Sequence, residues 1–175
     1  RRPHWHEDSA GFNEFLPAEK TTISDKFNAV VAATHELPRD SDSYGLVHFD
    51  FHRGNFFVDN GQVHLFDFDD CQYTWFADDV AIALFYAVPH DCSSPEDLAN
   101  ARSFIEHFLA GYRTQNEISG EWLARVPLFL KRRELDLYAV THRSVDLSNP
   151  DPWTVSYMDR RADKIANDVP YVDLD

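Results

Sequence analysis

The sequence predicts one mainly helical α+β domain, with a small β-hairpin ahead of four or five helices. The dipeptide Asn60–Gly61 separates two short runs, residues 56–58 and 62–66, that are rich in apolar residues. Asn–Gly supplies the positive φ angles of a tight type I′ turn, so the two runs are predicted to pair as antiparallel strands. After residue 75, apolar residues recur at helical spacing instead of alternating. A length of 175 residues suits a single domain, which we assign to residues 1–175.

The segment before the hairpin is predicted to contain one helix. Residues 1–20, rich in Pro, His, Trp and acidic residues, are predicted to be an irregular lead-in. A helix is predicted from Ser24 to Leu37, where Pro38 ends it. Leu46 and Val47 are predicted to be a short extended segment that leads into the hairpin.

The helices after the hairpin have recognisable starts. The run from Val80 to Val88 is apolar on all sides, which predicts a buried helix. Ser94 and Pro95 are a capping residue and a first-turn proline, so they predict the start of the next helix. Nearby aromatic residues are predicted to be core: Tyr73, Trp75, Phe76, Phe85 and Tyr86.

Two further helical segments complete the chain. One is predicted from Glu121 to about Arg143, with an interruption at Pro127. The other is predicted to open at Asp151–Pro152 and to continue past residue 165. Its inner side is predicted to carry Met158, Ala162, Ile165 and Val169.

Charge and composition exclude several classes of function. The chain has 16 basic and 30 acidic residues, a net charge of −14, which disfavours binding to nucleic acid or to anionic membranes. A solvated acidic surface is the favoured interpretation of this charge, and an amine-bearing ligand is compatible with it. No apolar run approaches the roughly 20 residues of a membrane span. Cys71 and Cys92 form no C-x-x-C motif. We therefore expect both to be packing residues, and the protein to reside in a reducing cytoplasm.

Polar residues of types that can catalyse reactions or bind metals flank the hairpin. The stretch from residue 48 to residue 55, HFDFHRGN, precedes it, and Asp67 follows it. Because the turn folds the second strand back beside the first, Asn55 and Asp67 are predicted to lie close together. An amide and carboxylates provide the oxygen ligands that Mg²⁺ prefers. With Asp50 five residues upstream of Asn55, this layout suits phosphoryl transfer.

These motifs resemble those of a known enzyme superfamily. H-x-D-x-x-x-x-N followed by a hairpin and an aspartate is similar to the protein-kinase-like superfamily. The three spaced elements HFDFHRGN, Phe66-Asp67-Phe68 and Asp79-Val80-Ala81 resemble its aminoglycoside phosphotransferase and choline kinase branch. The resemblance spans roughly residues 45 to 90, and the helical remainder fits the C-terminal lobe of that fold in order and size.

The resemblance implies a role for each matched residue. Asp50 would be the catalytic base, and Asn55 and Asp67 would bind Mg²⁺. His48 and Asp79 would support the catalytic loop, the former from behind and the latter through hydrogen bonds to its backbone. His52 stands at a position that is often His in this branch, without a clear chemical duty, and Asp69 and Asp70 have no assignment. The implied reaction transfers the γ-phosphate of ATP to a hydroxyl of a small molecule.

One part of the superfamily pattern is absent from the sequence. There is no G-x-G-x-x-G, and Lys20 and Lys26, the two lysines before the catalytic loop, do not lie in apolar strands. We therefore expect the C-terminal lobe alone, without the N-terminal ATP-binding lobe, and an isolated chain that is inactive. The face that this lobe would cover could support self-association.

The sequence leaves open three alternative functions and the identity of the acceptor. The run from Leu65 to Asp69 also resembles the strand end of haloacid-dehalogenase-type phosphatases, although only helices are predicted downstream. His48-x-Asp50-x-His52 could bind a hydrolytic metal, although further ligands have no obvious spacing. The chain could also be a non-catalytic binding lobe. Aminoglycosides, choline-like amines, amino acids and sugars are all possible acceptors.

Overall fold

The computed structural model describes residues 1–8 and 12–174. Its helices in these ranges are α1 (Trp5–Asp8), α2 (Phe12–Phe15), α3 (Thr21–His35), α4 (Phe76–Ala87), α5 (Pro95–Tyr112), α6 (Gly120–Leu123), α7 (Val126–Ser144), α8 (Pro152–Met158) and α9 (Arg161–Ala166). Its strands are β1 (Tyr44–Val47), β2 (Phe56–Asp59), β3 (Gln62–Leu65) and β4 (Gln72–Trp75). The predicted mainly helical α+β fold is confirmed. None of these helices is long and apolar enough to cross a membrane.

The strands in the described ranges form two separate antiparallel pairs. β2 and β3 form the predicted hairpin, and Asn60 and Gly61 close it with φ angles of 48° and 78°. β1 pairs with β4, and Tyr44 lies opposite Trp75. The sequence does not predict β4, because its four residues gain their partners only when the hairpin brings the chain back to β1.

Helix α4 is the centre of the core, as its apolar sequence predicts. It packs along α7 and also contacts α5 and β1. Phe85 is fully buried, with its ring stacked on that of Tyr171 at 4.0 Å between centroids. The buried residues of α4 are Ala77, Asp78, Val80, Ala81, Ile82, Ala83, Leu84 and Phe85. Full burial of a large apolar side chain stabilises the fold by roughly 1.5–3 kcal/mol. Helix α4 is therefore held rigidly in the core and can fix the position of the segments that bind to it.

The lead-in is more ordered than predicted. Trp5 in α1 is 1% exposed, and its ring centroid lies 5.4 Å from that of Trp75. His4 forms a parallel bridge with Tyr73 of β4. The prediction of an irregular segment is therefore wrong at α1 and α2, because long-range packing orders residues that carry no helical pattern. Residues 9–11 of the predicted lead-in lie outside the described residues.

The C-terminal helices also differ in part from the prediction. Pro127 lies in the first turn of α7, so it begins that helix after a break from α6. The predicted last helix is two short helices, because Arg160 adopts a left-handed φ of 49° between α8 and α9. This break lets the buried Arg161 turn back so that its Nε donates to the Tyr157 carbonyl at 3.0 Å. Val169 lies beyond α9 and is exposed, so its place on an inner helical stripe is wrong.

The hairpin stands out from the body of the domain. Five apolar side chains in the hairpin and just after it are more than 40% exposed, whereas Phe56 and Leu65 are half-buried. The exposed residues are Phe57, Val58, Val63, Phe66 and Phe68. Apolar faces of this kind mark surfaces that another chain segment or molecule covers.

A buried ion cluster ties α7 to the C-terminal helices. Glu134 is 0% exposed, and its carboxylate binds Arg161 Nη1 at 2.7 Å and Lys131 Nζ at 2.6 Å. Arg161 also donates from Nη2 to the carbonyl of His90 at 2.7 Å. Removing one partner of such a cluster leaves an uncompensated buried charge.

We expect Glu134→Leu to lower the free energy of unfolding by about 3–5 kcal/mol, because Arg161 would lose its buried counter-charge. Glu121→Leu is the matched control, since Glu121 also pairs with an arginine, Arg125, but is mostly exposed. The control should change stability by less than about 1 kcal/mol. Urea unfolding followed by circular dichroism measures both, and equal effects would contradict the assignment.

Candidate active site

The loop that follows β1 is fastened to the first turn of α4. The Asp79 carboxylate accepts hydrogen bonds from the backbone N–H of His48 at 3.1 Å and of Phe49 at 2.8 Å. Burial raises the pKa of Asp79, and the two backbone bonds oppose that rise. Phe49 has a φ of 67°, a left-handed conformation that costs a non-glycine residue roughly 1–2 kcal/mol. The two bonds to Asp79 offset this cost and fix the direction in which the chain leaves β1.

His48 braces the same loop against the hairpin. Its Nε2 lies 3.0 Å from the Phe66 carbonyl, and its Nδ1 accepts from the Asp50 backbone N–H at 3.3 Å. The side chain is buried under the ring of Phe68, at 5.0 Å between centroids. Both ring nitrogens are hydrogen-bonded, so neither is available to bind the hydrolytic metal that was an alternative for His48-x-Asp50-x-His52.

Asp50 projects from this loop and is held by three side chains. Asn55 Nδ2 donates to Asp50 Oδ2 at 3.0 Å and also to its carbonyl at 2.9 Å. His52 Nε2 lies 3.2 Å from the same Oδ2, and Arg133 Nη2 donates to Oδ1 at 2.7 Å. The Asp50 side chain keeps 19% exposure, so it is fixed in place and still open to a ligand.

His52, to which the sequence gives no duty, shapes the turn between Asp50 and Asn55. Its Nδ1 accepts from the Gly54 backbone N–H at 2.9 Å, and its ring packs so closely that a Cβ on Gly54 would meet it at 2.7 Å. A side chain at position 54 would therefore displace the His52 ring. The resulting turn aims the other ring nitrogen of His52 at Asp50.

Asn55 and Asp67 lie at the open end of the hairpin. Asn55 is 5% exposed, and its carbonyl accepts from the Phe66 backbone N–H at 3.0 Å, one position beyond the β2–β3 ladder. Asp67 follows directly, with an exposed side chain and a left-handed φ of 60°. Since the Asn55 amide nitrogen faces Asp50, its oxygen is the atom that can turn toward a cation. No group of three or more His, Cys, Asp or Glu in metal-binding range occurs in residues 1–8 and 12–174.

Sequence reasoning misses two residues of this site. Arg133 on α7 reaches Asp50 from 83 positions away, and its Nη2 also donates to the hydroxyl of Tyr86 at 2.7 Å. Tyr86, predicted to be core, is only partly buried and lines the cleft. The tandem Arg132–Arg133 in a helix with an apolar face is the one signal that could have indicated buried carboxylate partners.

A cavity of about 620 Å³ opens beside Asp50. Its lining combines aromatic residues such as Phe49 and Tyr86 with exposed carboxylates at Asp69 and Asp70. Gln72, 1% exposed, also lines it, and its Oε1 has no hydrogen-bond partner in the described structure. This volume is of the size that holds a small organic ligand.

Comparison with known proteins assigns the family. A family model described as the APH phosphotransferase enzyme family matches residues 2–124. The chain belongs to that family. The haloacid-dehalogenase-type alternative fails on the fold as well, because one strand and then helices follow Asp67 where alternating strands and helices are needed.

Small-molecule kinases are among the proteins that this chain resembles. Amicoumacin kinase of Bacillus subtilis (strain 168) is 33% identical over 154 residues, which covers 85% of this chain and 45% of that protein. The structure of amicoumacin kinase hAmiN in complex with AMP-PNP, Ca²⁺ and Ami aligns with a TM-score of 0.89 at 33% identity, over all of this chain and 53% of that one. The microcompartment-associated aminopropanol kinase shares the fold, with a TM-score of 0.60 at 24% identity over 86% of this chain and 44% of that one. The chain thus spans about half the length of these relatives.

The histidine contacts predict ring tautomers that can be measured. We expect His48 and His52 to carry their proton on Nε2, because the Nδ1 atom of each accepts from a backbone N–H. His107 is the internal control, since its Nδ1 faces the Ser103 carbonyl at 2.7 Å and must donate. Long-range ¹H–¹⁵N correlation spectra distinguish the two forms. An Nδ1–H tautomer at His48 would contradict the loop geometry.

Proposed function

We propose that this chain is the catalytic lobe of an ATP-dependent phosphotransferase that moves the γ-phosphate to a hydroxyl of a small molecule. The observation that carries the proposal is the fixed carboxylate of Asp50, bonded to Asn55 and facing a cavity of about 620 Å³. Family membership and the kinship with amicoumacin kinases support it.

Asp50 would orient the acceptor hydroxyl and take its proton. Phosphoryl transfer depends mainly on positioning and on stabilising negative charge, so a carboxylate held by three partners suits the task. His48 and Asp79 would act only through the loop, because their polar atoms are engaged by the backbone.

Asn55 and Asp67 would hold magnesium with the nucleotide. An amide oxygen and an exposed carboxylate at one end of the hairpin fit this ion, which keeps several waters and relies on phosphate oxygens for further ligands. Bound magnesium would supply positive charge against the phosphates of ATP. The amicoumacin kinase structure with AMP-PNP and Ca²⁺ supports the use of nucleotide and divalent metal in this family.

The acceptor is proposed to carry an amine as well as a hydroxyl. Asp69 and Asp70, unassigned from the sequence, line the cavity beside Asp50 and are exposed. With a net charge of −14, the chain favours a cationic over an anionic acceptor. Amicoumacin is the first candidate to assay, because two relatives at 33% identity are amicoumacin kinases.

A separate ATP-binding lobe is proposed to complete the cleft. Residues 1–44 provide no glycine-rich phosphate loop, and the apolar hairpin face that includes Phe57 and Phe66 is exposed. We propose that the lobe covers this face, and that the chain without it is inactive and self-associates there.

The test replaces Asp50 in a protein that carries this chain together with its ATP-binding lobe. We expect Asp50→Asn to lower kcat by about 10²–10⁴-fold, because the acceptor proton loses its base. Asp25→Asn, an exposed change on α3, is the control and should leave kcat unchanged. Phosphate transfer from ATP to amicoumacin, followed by mass spectrometry of the product, measures both. Near-wild-type turnover in Asp50→Asn would refute the assignment, and a folded but inactive wild type would favour the binding-lobe alternative.

A further inference from the structure

Arg133 differs from the buried Arg132 and Arg161 in the carboxylate that it holds most closely. Arg132 and Arg161 make their shortest ion pairs with carboxylates that are fully buried, those of Asp78 at 3.1 Å and Glu134 at 2.7 Å, and Arg132 lies at a longer 3.8 Å from the partly exposed Asp136. The partner of Arg133 is Asp50, which keeps 19% exposure and lines the cavity. The charge of Arg133 is therefore directed at a carboxylate that a ligand can reach.

We propose that Arg133, anchored by Tyr86, is a positioning residue that fixes the orientation of the Asp50 carboxylate toward the acceptor hydroxyl. The inference rests on the proposed phosphotransferase function. It adds to that function a residue on α7, outside the catalytic loop and the hairpin.

The contacts divide between the two oxygens of Asp50. Asn55 and His52 hold Oδ2, whereas Arg133 alone among the described side-chain contacts holds Oδ1, at 2.7 Å. The terminal torsion of an aspartate is broad, so bonds to one oxygen leave the carboxylate free to tilt about that contact. A charged donor on the second oxygen removes this freedom.

Arg133 is itself held in place. Its Nη2 donates to Tyr86 at 2.7 Å, and the guanidinium lies over the rings of Phe49 and Tyr86, at 5.5 Å and 5.3 Å from their centroids. Burial opposes its charge, but Tyr86 and Asp50 outweigh that effect and raise the pKa of Arg133, so the residue stays cationic. Its own α7 neighbours, Arg132 and Glu134, are buried in the domain and fix the helix.

The test compares Arg133 variants in the protein that carries both lobes. We expect Arg133→Met to lower kcat about 100-fold, with KM for MgATP and for amicoumacin within threefold of wild type, because a misplaced base slows the reaction without weakening binding. Arg133→Lys should recover at least tenfold of that loss. Methylguanidinium added to Arg133→Ala should restore part of kcat. Arg113→Met, an exposed change at the end of α5, should leave kcat unchanged.

Tyr86→Phe keeps the inference testable if Arg133→Met fails to fold, since it removes a single oxygen. We expect kcat to fall about fivefold, the equivalent of one hydrogen bond of about 1 kcal/mol. Unchanged kcat in Arg133→Met, or a loss confined to KM for the acceptor, would overturn the positioning role while the phosphotransferase function stands. An inactive wild type would overturn both.

Discussion

The arrangement of the whole site depends on one carboxylate bound to two backbone amides. Asp79 sits in the first turn of α4, the most deeply buried helix, and receives the N–H groups of His48 and Phe49. Without these bonds the left-handed Phe49 would lose its stabilising contacts, and the direction of the chain toward Asp50 would no longer be fixed. The rigidity of the apolar core is thereby transmitted to the residue that faces the cavity.

Helix α7 connects the same core to the other side of the site. Successive residues on a helix point about 100° apart, so Arg132, Arg133 and Glu134 are directed to different surroundings. Arg132 neutralises the buried Asp78, Glu134 binds Arg161, and Arg133 reaches Asp50. Each charge is paired, because an unpaired charge at this depth would cost several kcal/mol. Packing of α7 on α4 therefore sets the distance between the catalytic loop and its arginine.

The features that the sequence predicts are those with local signals. Asn60–Gly61 specifies the hairpin turn, and the Ser94 side chain caps α5 by accepting from Asp97 N–H as the motif indicates. The spaced motif around Asp50 predicts the family because it lies within one continuous stretch. Strand β4 and Arg133 escape prediction for the opposite reason, since their partners are supplied by segments far away in the sequence. The exposure of the hairpin is also not predictable from its own residues, because their apolar pattern is the same whether or not something covers it.

The claim that Asp79 fixes the catalytic loop is tested most directly by hydrogen exchange at the amides it binds. In Asp79→Asn the side chain keeps one acceptor oxygen for two donors, so the His48 and Phe49 amides should exchange at least tenfold faster than in wild type. The amides in the middle of α4, from Val80 to Leu84, should keep their protection because the core is unchanged. Unaltered protection of His48 and Phe49 would contradict the account and would mean that the loop holds its shape without Asp79.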